Sequence, residues 1–382
     1  MKIVKLSNKT DKKRVCKFIG STKEGCSILT EKMEINYIYL KDIKNPVALI
    51  LKQDALSVGA DLIVHKDTIL CKNKTSDALL IATNTQLKNL SKKESRQPFG
   101  LKEFSKEIKK FLSKEKKEPV KVMGVINAND DSFFKGSRFQ GLNAVKKIEE
   151  MTEEGADIID IGAVSSRPGS EAVSEEVELK RVKPIVDLIY KEKIYEKTIL
   201  SLDSYSPLCL EYALDRGFKI VNDITALSSD EVAKVAKRYD ATVVLMHMRG
   251  TPKDMQKNPT YQNVLLEVEE FFKSRIKKAK EFGIKDIILD VGIGFGKRLE
   301  HNLTLLNHLE HFNSLGYPLL VGASRKSLID MIIPTKTEDR LPGTIAIHLK
   351  AIQNGVTIIR CHDVKEHLQA IKVLEAIESS LF

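Results

Sequence analysis

A closed (β/α)8 TIM barrel preceded by a small basic α/β domain is the fold this sequence predicts, and three observations carry it. Eight short β-branched runs lie between Val120 and Asp363, and all but one end in a polar or charged residue. Stretches with helical apolar spacing separate them. A charged run closed by a proline, Lys114-Glu115-Lys116-Lys117-Glu118-Pro119, sets the first third apart, so the expected division is 1–118 and 119–382. The runs are 120–127, 157–162, 198–203, 219–223, 242–247, 286–290, 318–324 and 356–362. Strand-plus-helix units in that number close into a barrel whose strand ends converge on one face. Asn127, Asp160, Asp203, Asn222, His247, Asp290, Lys326, Arg360 and His362 are therefore expected to meet there.

Within the first third, candidate strands fall at 36–40, 47–51, 61–65 and 78–83. A helix is expected over Leu101–Leu112, where Leu101, Phe104, Ile108, Phe111 and Leu112 share one face. Roughly 100 residues suffice for a core of their own. No catalytic motif is visible in this part, and the neighbouring His65 and Cys71 read as structural. In the barrel, Ser174 before Glu175 and Glu176 marks a helix start, with Leu179, Val182, Val186 and Ile189 as its apolar stripe. Val264, Val268, Phe271, Phe272 and Ala279 line a helix that stops at Gly283. Asp363 with Glu366 opens the last helix as a capping box.

Composition narrows the class. Of 382 residues, 42% are apolar and 30% charged, and no apolar run approaches the roughly 18 residues of a membrane span. The amino terminus has charge but no apolar core region or small-residue cleavage site, so a cytoplasmic protein without membrane attachment is expected. Cys16, Cys26, Cys71, Cys209 and Cys361 are odd in number and never in a Cys-x-x-Cys spacing, which reads as reduced thiols. The net charge of +10 is the balance of +12 in residues 1–118, with 26 Lys+Arg against 14 Asp+Glu, and −2 in the remainder, with 36 against 38. Without an arginine cluster or interleaved aromatics, that surplus reads as a solvated lysine-rich exterior rather than a nucleic-acid surface.

Four loops after strands carry the candidate chemistry. Ser165-Ser166-Arg167-Pro168-Gly169 joins hydroxyls, a guanidinium and a turn, as an anion-gripping loop would. Gly292-Ile293-Gly294-Phe295-Gly296-Lys297 lacks the ending of a Walker motif, so its glycines read as places of close backbone approach. Ser324-Arg325-Lys326-Ser327 opens a helix with two cations, and Arg360 and His362 alternate with Cys361 on one side of a strand. Against these cations stand Asp160, Asp203 and Asp290 with Asn222, a set suited to a ring edge rich in donors. Asn127 among oxygen-rich neighbours suits Mg²⁺ carried in by a phosphorylated substrate.

At these residues the chain resembles the dihydropteroate synthases of folate biosynthesis, over about residues 121–375. Met123-Gly124-Val125-Ile126-Asn127 with Asp131-Ser132-Phe133 is similar to the family's first-loop signature, and Asp160-Ile161-Gly162 with Ser165-Ser166-Arg167-Pro168-Gly169 to its second. Ser201-Leu202-Asp203, Asn222-Asp223-Ile224, His247-Met248, Asp290 with its glycine loop, Ser324-Arg325-Lys326 and Arg360-Cys361-His362-Asp363 complete the series. The chain departs from the family pattern at Asn129-Asp130, Ala163-Val164 and Val291, none of them a ligand position.

The resemblance implies condensation of 6-hydroxymethyl-7,8-dihydropterin diphosphate with 4-aminobenzoate, giving 7,8-dihydropteroate and pyrophosphate, in a Mg²⁺-dependent homodimer that sulfonamides target. It implies that Asp203, Asn222, Asp290, Lys326 and Arg360 bind the pterin. Asn127, holding the metal, would serve the diphosphate with Arg167, Arg360 and His362. Phe133, Ser166, Pro168, Lys326 and Ser327 would form the aminobenzoate pocket. Asp203, Lys326, Arg360 and His362 would carry the catalysis. Two other classes share the pterin-reading set: a methyltransferase barrel, which needs no diphosphate grip, and a non-catalytic pterin-binding regulator.

Overall fold

The structure, a computed structural model, describes residues 10–112, 119–127, 141–162, 164 and 173–380. The chain divides into two compact units, Met1–Lys116 with Glu375–Phe382, and Lys117–Leu374.

In the first unit, α1 (Lys12–Ile19) opens on Asp11, whose carboxylate accepts from the N–H groups of Lys13 and Arg14, and stops at Gly20. After α2 (Lys23–Lys32) come β1 (Ile35–Lys44), α3 (Asn45–Ser57), β2 (Asp61–Val64), β3 (Thr75–Thr83), α4 (Asn84–Glu94) and α5 (Leu101–Leu112). The three strands form an antiparallel sheet in the order β1-β3-β2. Ala78, Leu80 and Ala82 alternate inward along β3 and pack with Leu51, Leu62, Leu87 and Ile108. Residues 47–51, expected as a strand, lie instead in α3. Pro46 supplies the fixed φ of a first helical turn, and Val47, Ala48, Leu51 and Ala55 bury one helical face. A five-residue apolar run fits either period; the thirteen-residue length of the element decides for helix.

In the second unit eight parallel strands alternate with helices: β4 (Lys121–Asn127), α6 (Gly141–Glu154), β5 (Ile158–Gly162), α7 (Glu175–Lys191), β6 (Ile199–Asp203), α8 (Pro207–Leu214), β7 (Ile220–Asp223), α9 (Asp230–Arg238), β8 (Thr242–Met246), α10 (Val264–Glu281), β9 (Ile287–Asp290), α11 (Leu299–Asn307), β10 (Leu319–Val321), α12 (Ser327–Ile332), α13 (Leu341–Gln353), β11 (Ile358–Cys361) and α14 (Val364–Ser379). The sheet closes in the order β10-β11-β4-β5-β6-β7-β8-β9. Both parts of the expected fold class are thus present. Ser174 caps α7 by accepting from Val177 N–H, and Gly283 ends the turn after α10 at φ +78°.

Side chains on these strands serve two cores. Met123, Ile158, Ile220, Val244, Ile288, Leu320 and Ile358 form a plug inside the barrel. Their neighbours Val122, Ile159, Val221, Val243, Leu289, Val321 and Ile359 face the helices. Among the described residues no helix is long and apolar enough to cross a membrane, and all five cysteines are free thiols. Leu320→Ala should cost about 2–5 kcal/mol, since the plug cannot collapse around the lost volume, and urea unfolding of the purified protein measures it.

Candidate active site

The same two-residue period that builds the plug builds the site above it. Asp160, Asn222, Asp290 and Arg360 each stand two residues beyond a plug residue, Ile158, Ile220, Ile288 and Ile358, and so face the barrel axis at its carboxyl end. There Arg360 Nε donates to Asp160 Oδ2 at 2.6 Å and Nη2 donates to Asp203 Oδ2 at 2.7 Å. Asn222 Nδ2 donates to the same Asp160 oxygen at 2.9 Å, while the buried Asp160 Oδ1 has no hydrogen-bond partner among the described residues. Burial pushes the Asp203 carboxyl up to about 7; Arg360 opposes the shift and the like charge of Asp160 adds to it. The guanidinium is raised above its usual range, because the two carboxylates outweigh its own burial.

Across the barrel, Asp290 Oδ1 accepts from Gly292 N–H at 2.8 Å, and burial raises this carboxyl against the pull of Lys326. Lys326 Nζ donates to the carbonyl of Ile293 and lies 4.4 Å from the centre of the Phe295 ring. Burial brings the ammonium down to about 8, with Asp290 opposing. Ser324 Oγ accepts from His362 N–H at 3.3 Å and lies 2.8 Å from Nδ1. Burial lowers this histidine to about 4, so the ring is neutral at pH 7 and keeps one N–H to donate. Asn127 ends β4 beside Gly162 of β5, itself paired with Asp203 of β6. Ser327 is the first residue of α12 and is exposed. Phe133, Ser166, Arg167 and Pro168 lie outside the described residues, as do Asn129, Asp130 and Ala163.

Two expectations are corrected: the convergence of His247, and Arg325 as a second anion-facing cation beside Lys326. His247 follows Met246, which continues the inward series from Val244, so His247 takes the outward side of β8. Its ring meets Phe271 of α10 edge-on at 4.8 Å, and Nδ1 lies 2.9 Å from Lys297 Nζ. Arg325 is no anion ligand either. It is 6% exposed, pairs its Nε–Nη2 edge with the two oxygens of Asp363 at 3.1 and 2.8 Å, and donates through Nη1 to the carbonyls of Thr337 and Glu338. Both Asp363 oxygens are thereby engaged by Arg325. These bonds hold Arg325 at φ +55°, a conformation that costs a non-glycine residue, in the turn that presents Lys326.

A cavity of about 540 Å³ opens beside Asp203, lined also by Glu178, Tyr205, Ile224, Thr225 and Met246. Counting by twos from Val244 would have found Met246. Nothing in the sequence marked Glu178, a 4% exposed carboxyl in α7 whose pKa burial raises. Among the described residues no three His, Cys, Asp or Glu side chains cluster as a metal site. One amide at Asn127 is a fit only for an ion that brings most of its ligands with it, as Mg²⁺ on a diphosphate does.

The model of a family described as pterin binding enzyme matches residues 123–362. A bifunctional dihydropteroate synthase/dihydropteroate reductase of Helicobacter pylori is 40% identical over 379 residues, covering 99% of this chain and 100% of that protein. A dihydropteroate synthase of Escherichia coli K12 is 41% identical over 262 residues, 68% of this chain and 92% of its own length. Among solved structures, the Yersinia pestis dihydropteroate synthase with a sulfonamide drug complex is similar with a TM-score of 0.66 and 36% identity, over 70% of this chain and 97% of that one. The Thermus thermophilus enzyme in complex with 4-aminobenzoate is similar with a TM-score of 0.62 and 35% identity, over 69% and 96%.

Neighbouring cations with different partners predict different losses. Arg325→Ala strands the carboxylate of Asp363 and should destabilise the fold by about 3–5 kcal/mol. Lys326→Ala, which breaks no direct ion pair and weakens only a longer-range attraction to Asp290, should cost less, about 1–2 kcal/mol. Denaturant titration of both variants checks the contrast.

Proposed function

The chain belongs to the pterin-binding enzymes and, within them, to the dihydropteroate synthases, and from that premise we propose which of its residues conduct the reaction. The reaction joins 6-hydroxymethyl-7,8-dihydropterin diphosphate to 4-aminobenzoate with release of pyrophosphate. The observation that carries the assignment is the planar guanidinium of Arg360 bonded at once to Asp160 and Asp203, with Asn222 on the same oxygen. Acceptors disposed around a flat donor group are what the amino and ring N–H edge of a pterin requires. Asp203, Asn222 and Asp290 accept from that edge, Lys326 donates to the ring, and Arg360 covers its face.

Loss of pyrophosphate leaves positive charge on the pterin methylene and negative charge on the departing group. The carboxylates of Asp203 and Asp290 stabilise the first; Arg360, neutral His362 donating its one ring N–H, and Arg167 stabilise the second. Asn127 would hold Mg²⁺ on the diphosphate, where the ion neutralises the leaving charge. The aminobenzoate, seated by Lys326 and Ser327 with Phe133, Ser166 and Pro168, attacks as an amine already neutral at pH 7, so no strong base is called for. Homodimeric assembly rests on the family resemblance alone, and residence in the cytoplasm on that and on the five free thiols.

Pyrophosphate release and dihydropteroate formation by the full chain test the assignment. Product is expected only with both substrates present, and Lys326→Ala and Arg360→Ala should each reduce it by orders of magnitude. Wild-type rates in either variant remove that residue from the mechanism.

The rate should also follow pH with two limbs. Asp203 accepts hydrogen bonds as a carboxylate, so kcat/KM for the pterin substrate should rise as pH passes upward through about 7. Lys326 donates fully as an ammonium, so the value should fall above about 8. Asp203→Asn should abolish the acid limb in the residual activity; a limb that survives belongs to another group.

A second activity is favoured by one observation. The Helicobacter pylori relative that aligns along 99% of the chain bears both names, synthase and reductase, whereas synthases of single name align along 67–68%. We therefore propose that 119–382 is the synthase domain and that 1–118 contributes dihydropteroate reduction. In that step a hydride and a proton add across the remaining reducible C=N bond of dihydropteroate, with reduced nicotinamide or reduced flavin as the hydride donor. The full chain given dihydropteroate and each donor should yield tetrahydropteroate, and the Escherichia coli synthase should not. Failure with both donors rejects the proposal.

A further inference from the structure

The glycine loop after β9 is built around a buried ammonium. Lys297 is 3% exposed, and its Nζ lies 3.0 Å from the carbonyl oxygens of Gly292 and Phe295, 3.2 Å from that of His247 and 2.9 Å from His247 Nδ1. Three carbonyls and a ring nitrogen converging on one point would repel one another without a donor between them. An ammonium with three protons satisfies such a set as a bound cation would. The loop is drawn so close that a Cβ on Gly292 would meet His247 O at 2.0 Å, and one on Gly296 would meet Arg249 O at 2.4 Å. Both glycines have positive φ, +64° and +59°.

The other loop carbonyls are held as well. Gly294 O accepts from Gln256 and Gly296 O from Tyr261 OH, each at 2.8 Å. Ile293 O accepts from Lys326 Nζ, and the Phe295 ring lies against the same ammonium. The loop amide of Gly292 donates to Asp290. What Lys297 fixes is therefore the surface that aims one cation and one carboxylate at the barrel mouth.

We propose that Lys297 is a positioning residue for the condensation, acting on the pterin substrate through Gly292–Gly296 and Lys326. This rests on the assignment of Lys326 to pterin binding made above. A side chain that merely supported the fold would weaken the site whether or not Lys326 is present. One that acts through Lys326 loses its effect once Lys326 is gone.

Lys297→Met, Lys326→Met and the double variant of the full chain decide between these, through steady-state kinetics with each substrate varied. Lys297→Met should raise KM for the dihydropterin diphosphate about 10- to 100-fold, the range seen when a supporting partner of a ligand is removed. In the Lys326→Met background the substitution should add less than about threefold to that KM. Multiplying effects in the double variant overturn the proposal. Unchanged pterin KM in Lys326→Met overturns the underlying assignment instead. Should Lys297→Met fail to fold, Phe295→Leu keeps the buried ammonium and removes the ring beneath Lys326. It should raise the pterin KM in the parent and add less than about threefold in the Lys326→Met background, and an unchanged value in the parent also overturns the proposal.

Discussion

One guanidinium between two carboxylates governs the mouth of this barrel. Asp160 is fully buried and Asp203 partly so, and the Arg360 guanidinium brings both of them a charged partner where little water reaches. Arg360 meets both from the opposite end of the chain's strand order, across the β11–β4 seam that closes the sheet. The barrel and the ion cluster thus depend on each other. Closure brings β11 beside β4 and within reach of β5 and β6, and the cluster gives the closed form a polar cap over its apolar plug. Asn222, spanning from β7 to Asp160, extends the same network to a fourth strand.

Regular strands can set the depth of side chains, but they cannot aim the groups that follow the strand ends. The turns do that, and they do it in strained or crowded backbone. After β7, Asp223 accepts from the N–H groups of Thr225 and Leu227 and from the Thr225 hydroxyl, holding Ala226 and Leu227 at φ +52° and +59°. Behind the turn after β10, a buried histidine pair links three elements: Ala323 N–H meets His348 Nε2 at 3.0 Å, His348 Nδ1 lies 2.9 Å from His367 Nε2, and His367 Nδ1 meets Asp363 O. Taking the Ala323 amide as the first donor assigns every proton along that line and leaves both rings neutral. Burial lowers both histidines, in keeping with that state.

How much of this could be read from the sequence follows from the range over which each signal acts. The eight strands were legible because β-branched runs ending in polar residues are local, and the depth of Asp160, Asn222, Asp290 and Arg360 follows from their own strands' alternation. His247 follows the same rule: Val244 and Met246 hold the inward positions, which leaves it the outward one. Residues 47–51 are ambiguous because a short apolar run has no period of its own, and Pro46 is the local mark that favours a helix start. Arg325 and Lys326 could not be separated at all. Their partners, Asp363 in one case and Ile293 in the other, lie more than thirty residues away, and nothing in a pair of adjacent cations says which will turn inward. Lys297 was legible only as the end of a glycine motif, since its partners are carbonyls that every residue possesses.

The two basic side chains nearest the site in sequence terms show how a barrel enzyme separates holding from reacting. Lys297 and Arg325 are both buried and both bonded chiefly to backbone carbonyls or to a carboxylate of the scaffold. Each has its donors engaged by the scaffold, and that is what lets the adjacent turn keep a shape that its own residues would not choose. Lys326 and Arg360 are less buried and are bonded to groups that a ligand can rival: a single loop carbonyl, and two carboxylates at the barrel mouth. A cation spent on the scaffold cannot respond to a substrate, and a cation that responds cannot by itself stay in place. Placing the two kinds on consecutive turns, so that the first fixes the backbone from which the second reaches, satisfies both requirements without enlarging the polar pocket.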